Sequence, residues 1–90
     1  MSFHESIDTF TTAIPAERAE GPDVLFELGL ICSAGLSGPV DLIAAHKWFN
    51  LAALRGRADA IVLRREIAEQ MSEAEIATAQ REARAWISLH

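Results

Sequence analysis

The sequence predicts an all-α protein of about five helices arranged as antiparallel hairpins. No segment shows the sustained alternation of apolar and polar residues that is typical of a half-buried strand. Apolar residues instead recur at spacings of three and four, between recognisable helix start and stop signals. The segments between these runs are short, and short connections make consecutive helices antiparallel neighbours. With 90 residues, the chain has the length of one domain.

The first two predicted helices are separated by a turn that contains a proline. The first helix covers residues 3–14 and ends there, because Pro15 disfavours helical backbone at the residue before it. The second covers residues 22–34, since Pro22 suits a first helical turn. Gly35 follows directly and accepts the left-handed backbone that closes many helices, so we expect it to be the C-terminal cap.

The third predicted helix is apolar on nearly every side. Asp41 caps its first turn by offering a carboxylate to free backbone N–H groups. The helix runs to about Arg55, and Gly56 ends it. A helix without a polar face is packed between neighbours rather than laid on a surface, so we expect it to be sandwiched within the fold.

The last two predicted helices follow after another short turn. The fourth runs from about Ala58 to residue 69 or 70. The fifth begins with a capping box, in which the Ser72 hydroxyl caps the helix and the Glu75 carboxylate reaches back to the Ser72 backbone. Its apolar residues continue at helical spacing, so the helix should reach about Ser88.

The second and third predicted helices together resemble the Sel1-like repeat, a relative of the tetratricopeptide repeat. The resemblance depends on small, apolar and capping residues whose spacing holds across residues 28–56, and the best match covers residues 22–57. Two departures concern Cys32, which stands where Tyr is usual, and a loop in which Ser37 and Gly38 replace Gly and Val. The repeat positions are Leu28, Gly29, Cys32, Gly35, Asp41, Ala45, Trp48, Ala52, Ala53 and Gly56.

A second copy of the repeat begins after Gly56 and is then interrupted. Its Leu-Gly position is occupied by Arg64-Arg65, which we expect to prevent another close-packed neighbour on that face. Residues 58–90 therefore resemble a terminating half-repeat with a closing helix. The resemblance implies a single helical domain over residues 1–90, built as a truncated α–α superhelix.

Gly29 requires a packing explanation because glycine in the middle of a helix costs about 1 kcal/mol relative to alanine. We expect close approach of the facing helix through Ala45 or Ala52 to offset this cost. Trp48 would then fill the space beside these small residues.

Composition and charge limit the classes of partner. The net charge is −5, half of the residues are hydrophobic, and the mean hydropathy is +0.13. Residues 1–45 hold seven acids and one base, a net of −6, whereas residues 46–90 hold seven bases and six acids, a net of +1. The acidic first half argues against nucleic acid as a partner. The beginning of the chain does not resemble a signal peptide and no segment suits a membrane span, so we expect a cytoplasmic protein without a membrane partner.

The resemblance implies a protein–protein interaction module, an adaptor or scaffold element whose partner is another protein. Fewer than two repeats rarely bury their own faces, so we also expect a homodimer. A self-associating helical regulatory subunit with no other partner is the alternative, and an enzyme is the second alternative.

Two sets of residues are candidates for the partner surface. Phe26 and Phe49 lie beside the apolar stripes of their helices rather than on them, so a partner groove and a core position both remain open. The second set is an arginine cluster around the turn between the third and fourth predicted helices. It is either a docking patch for an acidic partner or a solvated face paired with neighbouring acids, and it comprises Arg55, Arg57, Arg64 and Arg65.

No constellation of residues predicts catalysis. The three histidines lack zinc-ligand spacing, and the Gly35–Gly38 turn lacks the Lys of a phosphate-binding loop. Cys32 and His46 lie on adjacent predicted helices, but Cys32 occupies a core position where its thiol would be neutral and inert. We therefore predict no enzymatic activity, no metal and no cofactor. His46 is expected on a helix face, and Trp48 and Trp86 in the core.

Overall fold

A computed structural model describes residues 21–89, and this part of the chain is all-α, without a strand. The elements are α1 (Pro22–Ala34), α2 (Leu42–Leu54), α3 (Asp59–Ala68) and α4 (Glu73–Leu89). These four helices correspond to the second to fifth predicted helices, with small differences at their ends. The first predicted helix, over residues 3–14, lies outside the described residues.

Local capping signals define the connection between α1 and α2, as predicted. Gly35 ends α1 with a left-handed backbone at φ 69°, and the N–H of Leu36 donates to the carbonyl of Ile31. The Asp41 carboxylate accepts a hydrogen bond of 3.0 Å from the N–H of Ala44 in the first turn of α2. The N–H of Asp41 also donates to the Cys32 carbonyl at 3.0 Å, so the end of α1 is joined to the start of α2.

The opposite ends of the same two helices are joined by an ion pair. Arg57, which follows α2, donates through Nη1 to Asp23 Oδ1 in the first turn of α1 at 2.9 Å. Since Cys32 and Asp41 are joined at the other end, α1 and α2 form an antiparallel hairpin.

Helix α2 is the centre of the described fold, because α1, α3 and α4 all pack against it. Its sides are buried as the apolar pattern predicted. Apart from Phe26, the helices packed on α2 contribute alanine, leucine and isoleucine side chains to the buried core. The buried apolar residues are Leu25, Phe26, Ala45, Phe49, Leu51, Ala52, Ala60, Ile67, Ala79 and Ala83.

The atoms nearest to a Cβ placed on Gly29 belong to Phe49 of α2 and not to the predicted alanines. A Cβ placed on Gly29 would lie 2.5 Å from both Cδ1 and Cε1 of the Phe49 ring. Ala45 and Ala52 are fully buried in the same core, but neither is among the atoms nearest to Gly29. Trp48 is half-buried against the shared core, and its ring also packs against Trp86 of α4. The sequence indicated a close contact at Gly29 but not the ring that makes it.

The start of α4 has the predicted capping box. Ser72 Oγ accepts from the N–H of Glu75 at 3.1 Å, and Glu75 Oε1 accepts from the N–H of Ser72 at 2.9 Å. Ala79 and Ala83 of the same helix are buried, and α4 packs against α2. The capping box therefore determines where the closing helix starts.

We expect Gly29→Ala to destabilise the protein by about 1–2 kcal/mol, although alanine is favoured over glycine in an isolated helix. The added methyl group would collide with the buried Phe49 ring, which has no room to move away. Urea denaturation of the wild type, Gly29→Ala, Phe49→Leu and the double variant would measure this coupling. A stabilising effect of Gly29→Ala, or additive effects of the two substitutions, would contradict the contact.

We expect Asp41→Ala to cost about 1 kcal/mol, because the amide of Ala44 loses its acceptor at the start of the central helix. Asp41→Asn keeps an acceptor oxygen and should remain close to the wild type in the same urea titration. An equal loss in both variants would show that the negative charge, and not the hydrogen bond, is what stabilises this end of α2.

Candidate interaction surface

Phe26 and Phe49 belong to the core of the hairpin, so of the two positions that the sequence left open, the structure has the core position. Only 9% of Phe26 and 1% of Phe49 is exposed. Their ring centroids lie 5.6 Å apart with an interplanar angle of 54°. The buried face of α1 runs through Leu25, Phe26 and Gly29. Phe26 therefore lies on this face, whereas the sequence pattern had placed it beside the apolar stripe.

Arg57 is fixed by contacts within the chain. Besides its bond to Asp23, it donates through Nε and Nη2 to the two carboxylate oxygens of Asp59, at 2.8 and 3.2 Å. Its guanidinium carbon lies 3.8 Å from the centroid of the Phe26 ring, where a cation–π interaction forms. The hydrogen bonds from Arg57 lower the pKa of the Asp59 carboxyl below its ordinary value. Arg57 therefore connects α1, the turn and the start of α3.

Arg64 also has a partner within the chain. It is half-buried, and its Nη1 donates to Asn50 Oδ1 on α2. This bond crosses the α2–α3 packing and holds the two helices in register. At the predicted interruption of the second repeat, Arg64 therefore faces the neighbouring helix, whereas Arg65 is exposed.

Three of the four predicted arginines contact three different helices of the described chain. Arg57 contacts α1, Arg64 contacts α2, and Arg55 lies over the ring of Trp86 on α4, 5.7 Å from its centroid. A docking patch for an acidic partner stays a prediction. Pairing with acids is confirmed for Arg57 and Asp59.

Two tryptophans and two cations form an arrangement that the sequence did not reveal. Trp48 on α2 and Trp86 on α4 pack edge to face, with centroids 6.0 Å apart at 85°. Lys47 Nζ lies 4.2 Å from the centroid of Trp48, and Arg55 lies over Trp86. Both rings are half-buried, so the expected core position holds only in part. The signal in the sequence was the Lys47-Trp48 pair and the seven-residue spacing from Trp48 to Arg55, which places them on one side of α2.

Large aliphatic side chains are exposed at several positions of the described chain. They occur in the loop between α1 and α2, beside the α2–α3 turn and at the end of α4. Among them, Leu36 is 72% exposed and Leu54 is 64% exposed. The full set is Leu36, Val40, Leu54, Val62, Ile87 and Leu89.

Cys32 and His46 do not form a nucleophilic pair. Burial, followed by the negative charge of Asp41, raises the pKa of the Cys32 thiol, so the thiolate is disfavoured. His46 is only 4% exposed, contrary to the expected position on a helix face, and its Nδ1 has no hydrogen-bond partner among residues 21–89. Within the same range, no group of three His, Cys, Asp or Glu residues is placed to hold a metal ion.

Comparison with known proteins found no match: no family model, no curated protein and no solved structure resembles the chain closely enough to count. Within residues 21–89, no helix combines the length and apolar character that crossing a membrane requires.

We expect Arg57→Lys to lower the urea midpoint, because lysine keeps the charge but loses both the paired hydrogen bonds to Asp59 and the planar contact with Phe26. Arg65→Lys is the matched control at an exposed position of α3 and should leave the midpoint unchanged. If both variants behave like the wild type, the Arg57 contacts contribute nothing measurable to stability.

Proposed function

We propose that this protein is a protein–protein interaction module built on one Sel1-like helical hairpin. The residues of the proposed repeat have local roles that suit such a unit: Gly35 and Asp41 cap adjoining helix ends, and Gly29 receives the Phe49 ring. In this interpretation α3 is the terminating half-repeat and α4 the closing helix of a truncated α–α superhelix. The partner is another protein, and no catalytic step is part of the proposal.

The observation that carries the proposal is the set of exposed aliphatic side chains on a unit whose central helix is already covered. Helix α2 has α1, α3 and α4 packed on it, yet Leu36, Leu54 and Val62 remain more than half exposed. Contiguous apolar side chains that stay exposed are typical of surfaces that bind other proteins, and the proposal assigns Leu54 and Val62 to one such patch. Leu54 is the last residue of α2, and Val62 lies on α3, the helix that follows the next turn.

Self-association is the second candidate, and the charge distribution favours it. Residues 1–45 carry a net charge of −6 and residues 46–90 a net charge of +1. Two copies of the chain can therefore bring unlike regions together, and a second copy can cover the same aliphatic side chains. Sedimentation of the purified full chain distinguishes this candidate from binding to a different protein.

We expect Leu54→Glu and Val62→Glu to weaken partner binding about tenfold or more, because each removes an aliphatic contact and adds a charge that must be desolvated. Gln70→Glu adds the same charge at an exposed polar position and is the matched control. Cross-linking in the native cell followed by mass spectrometry would measure partner recovery, with circular dichroism to verify the fold.

Sedimentation of the same variants completes the experiment. Loss of a heterologous partner in Leu54→Glu or Val62→Glu, but not in Gln70→Glu, supports the interaction module. Loss of a dimer alone supports the self-associating subunit. Identical partners and identical sedimentation in all variants would contradict both candidates at this surface.

A further inference from the structure

His46 is a buried titratable group for which the proposed function has no use. It lies in the middle of α2, and only 4% of it is exposed. Its Nδ1 nevertheless makes no hydrogen bond within the described chain. Nearly all buried polar atoms in proteins have a partner, so an unpaired imidazole nitrogen in a core calls for an explanation. Burying this unpaired nitrogen costs little free energy while the ring is neutral. The cost becomes much larger when the ring carries a proton, because a buried charge then lacks partners.

The surroundings of His46 make the protonated form unfavourable. Asn50 lies one turn further along α2 and accepts a hydrogen bond from Arg64 of α3, which holds the guanidinium group near the imidazole. Burial first, and the positive charge of Arg64 second, lower the pKa of His46 below its ordinary value.

No acid on the neighbouring helices balances this arrangement. Of the charged groups described on α1, α3 and α4, Arg64 is the one whose charge acts on His46. On α2 itself, the neighbouring cation Lys47 is directed to the ring of Trp48, 4.2 Å from its centroid. A proton on His46 therefore adds a second cation beside Arg64 within the α2–α3 packing.

We propose that His46 is a pH-sensitive lock that holds α3 against α2 while its imidazole is neutral and releases α3 when the imidazole takes a proton from solvent. Helix α3 is suited to this behaviour. It is the shortest described helix, with ten residues, and it packs chiefly on α2. The release of α3 exposes the buried residues Ala60 and Ile67. It also moves Val62 of α3 away from Leu54 of α2, so that the two side chains no longer form one surface.

The direction of the pH effect follows from proton linkage. The released or unfolded chain binds a proton at His46 near the ordinary pKa of about 6.5, whereas the closed form binds it only at lower pH. Stability of the α2–α3 packing is thus fully present above that pH and is lost as the pH falls below it. The open fraction should rise by up to tenfold per pH unit until the pKa of the closed form is reached.

The test uses the full-length protein and nuclear magnetic resonance between pH 7.5 and 5. Ring resonances report the pKa of His46, and amide exchange, corrected for its intrinsic pH dependence, reports the opening of each helix. We expect α3 amides to lose protection about tenfold between pH 7.5 and 5.5, while α1 amides, whose helix ends at the Gly35 cap and is joined to Asp41, keep theirs. His46→Gln should remove the pH dependence of α3.

A second variant keeps the proposal testable if His46→Gln does not fold. Arg64→Met leaves the imidazole in place and removes the neighbouring cation, so the pKa of His46 should rise and the loss of α3 protection should become smaller. Equal protection of α3 at pH 7.5 and 5.5, loss of protection in all helices together, or an unchanged profile in either variant would each overturn the proposal.

Discussion

The contact of the Phe49 ring with the backbone of Gly29 is the constraint on which the rest of the described structure depends. It lets α1 lie closer to α2 than any side chain at position 29 would permit. The close approach brings Asp23 within reach of Arg57 at one end of the hairpin and the Cys32 carbonyl within reach of Asp41 at the other. With one side of α2 occupied by α1, the remaining sides are left for α3 and α4.

The polar and cationic side chains of the second half serve mainly as connectors between helices. Arg57 spans α1, the turn and α3, and it stacks on Phe26. Arg64 joins α3 to Asn50. Because Arg57 and Arg64 are committed within the chain, the proposed partner surface is assigned to the exposed aliphatic residues and not to these two arginines. His46 is the exception, since it is buried and its Nδ1 has no hydrogen-bond partner among residues 21–89.

Much of the helical layout could be predicted from the sequence because its signals are local. Gly35, Asp41 and the Ser72–Glu75 pair act on backbone groups within four residues, so their effect does not depend on the rest of the fold. The candidate surface was harder to predict. Phe26 is displaced from the apolar stripe of α1 by only part of a turn, and such a difference decides whether a ring is buried or exposed.

The sequence by itself determined the helix content of residues 21–89, the ends of the helices and the need for a close contact at Gly29. It determined these because helix caps and residue periodicity act over a few residues along the chain. Only the tertiary structure decided that Phe49 fills the space at Gly29, that Arg57 and Arg64 are committed within the chain, and that His46 is buried. Those outcomes depend on the rotation of each helix about its own axis, which is set when three helices pack on α2 together.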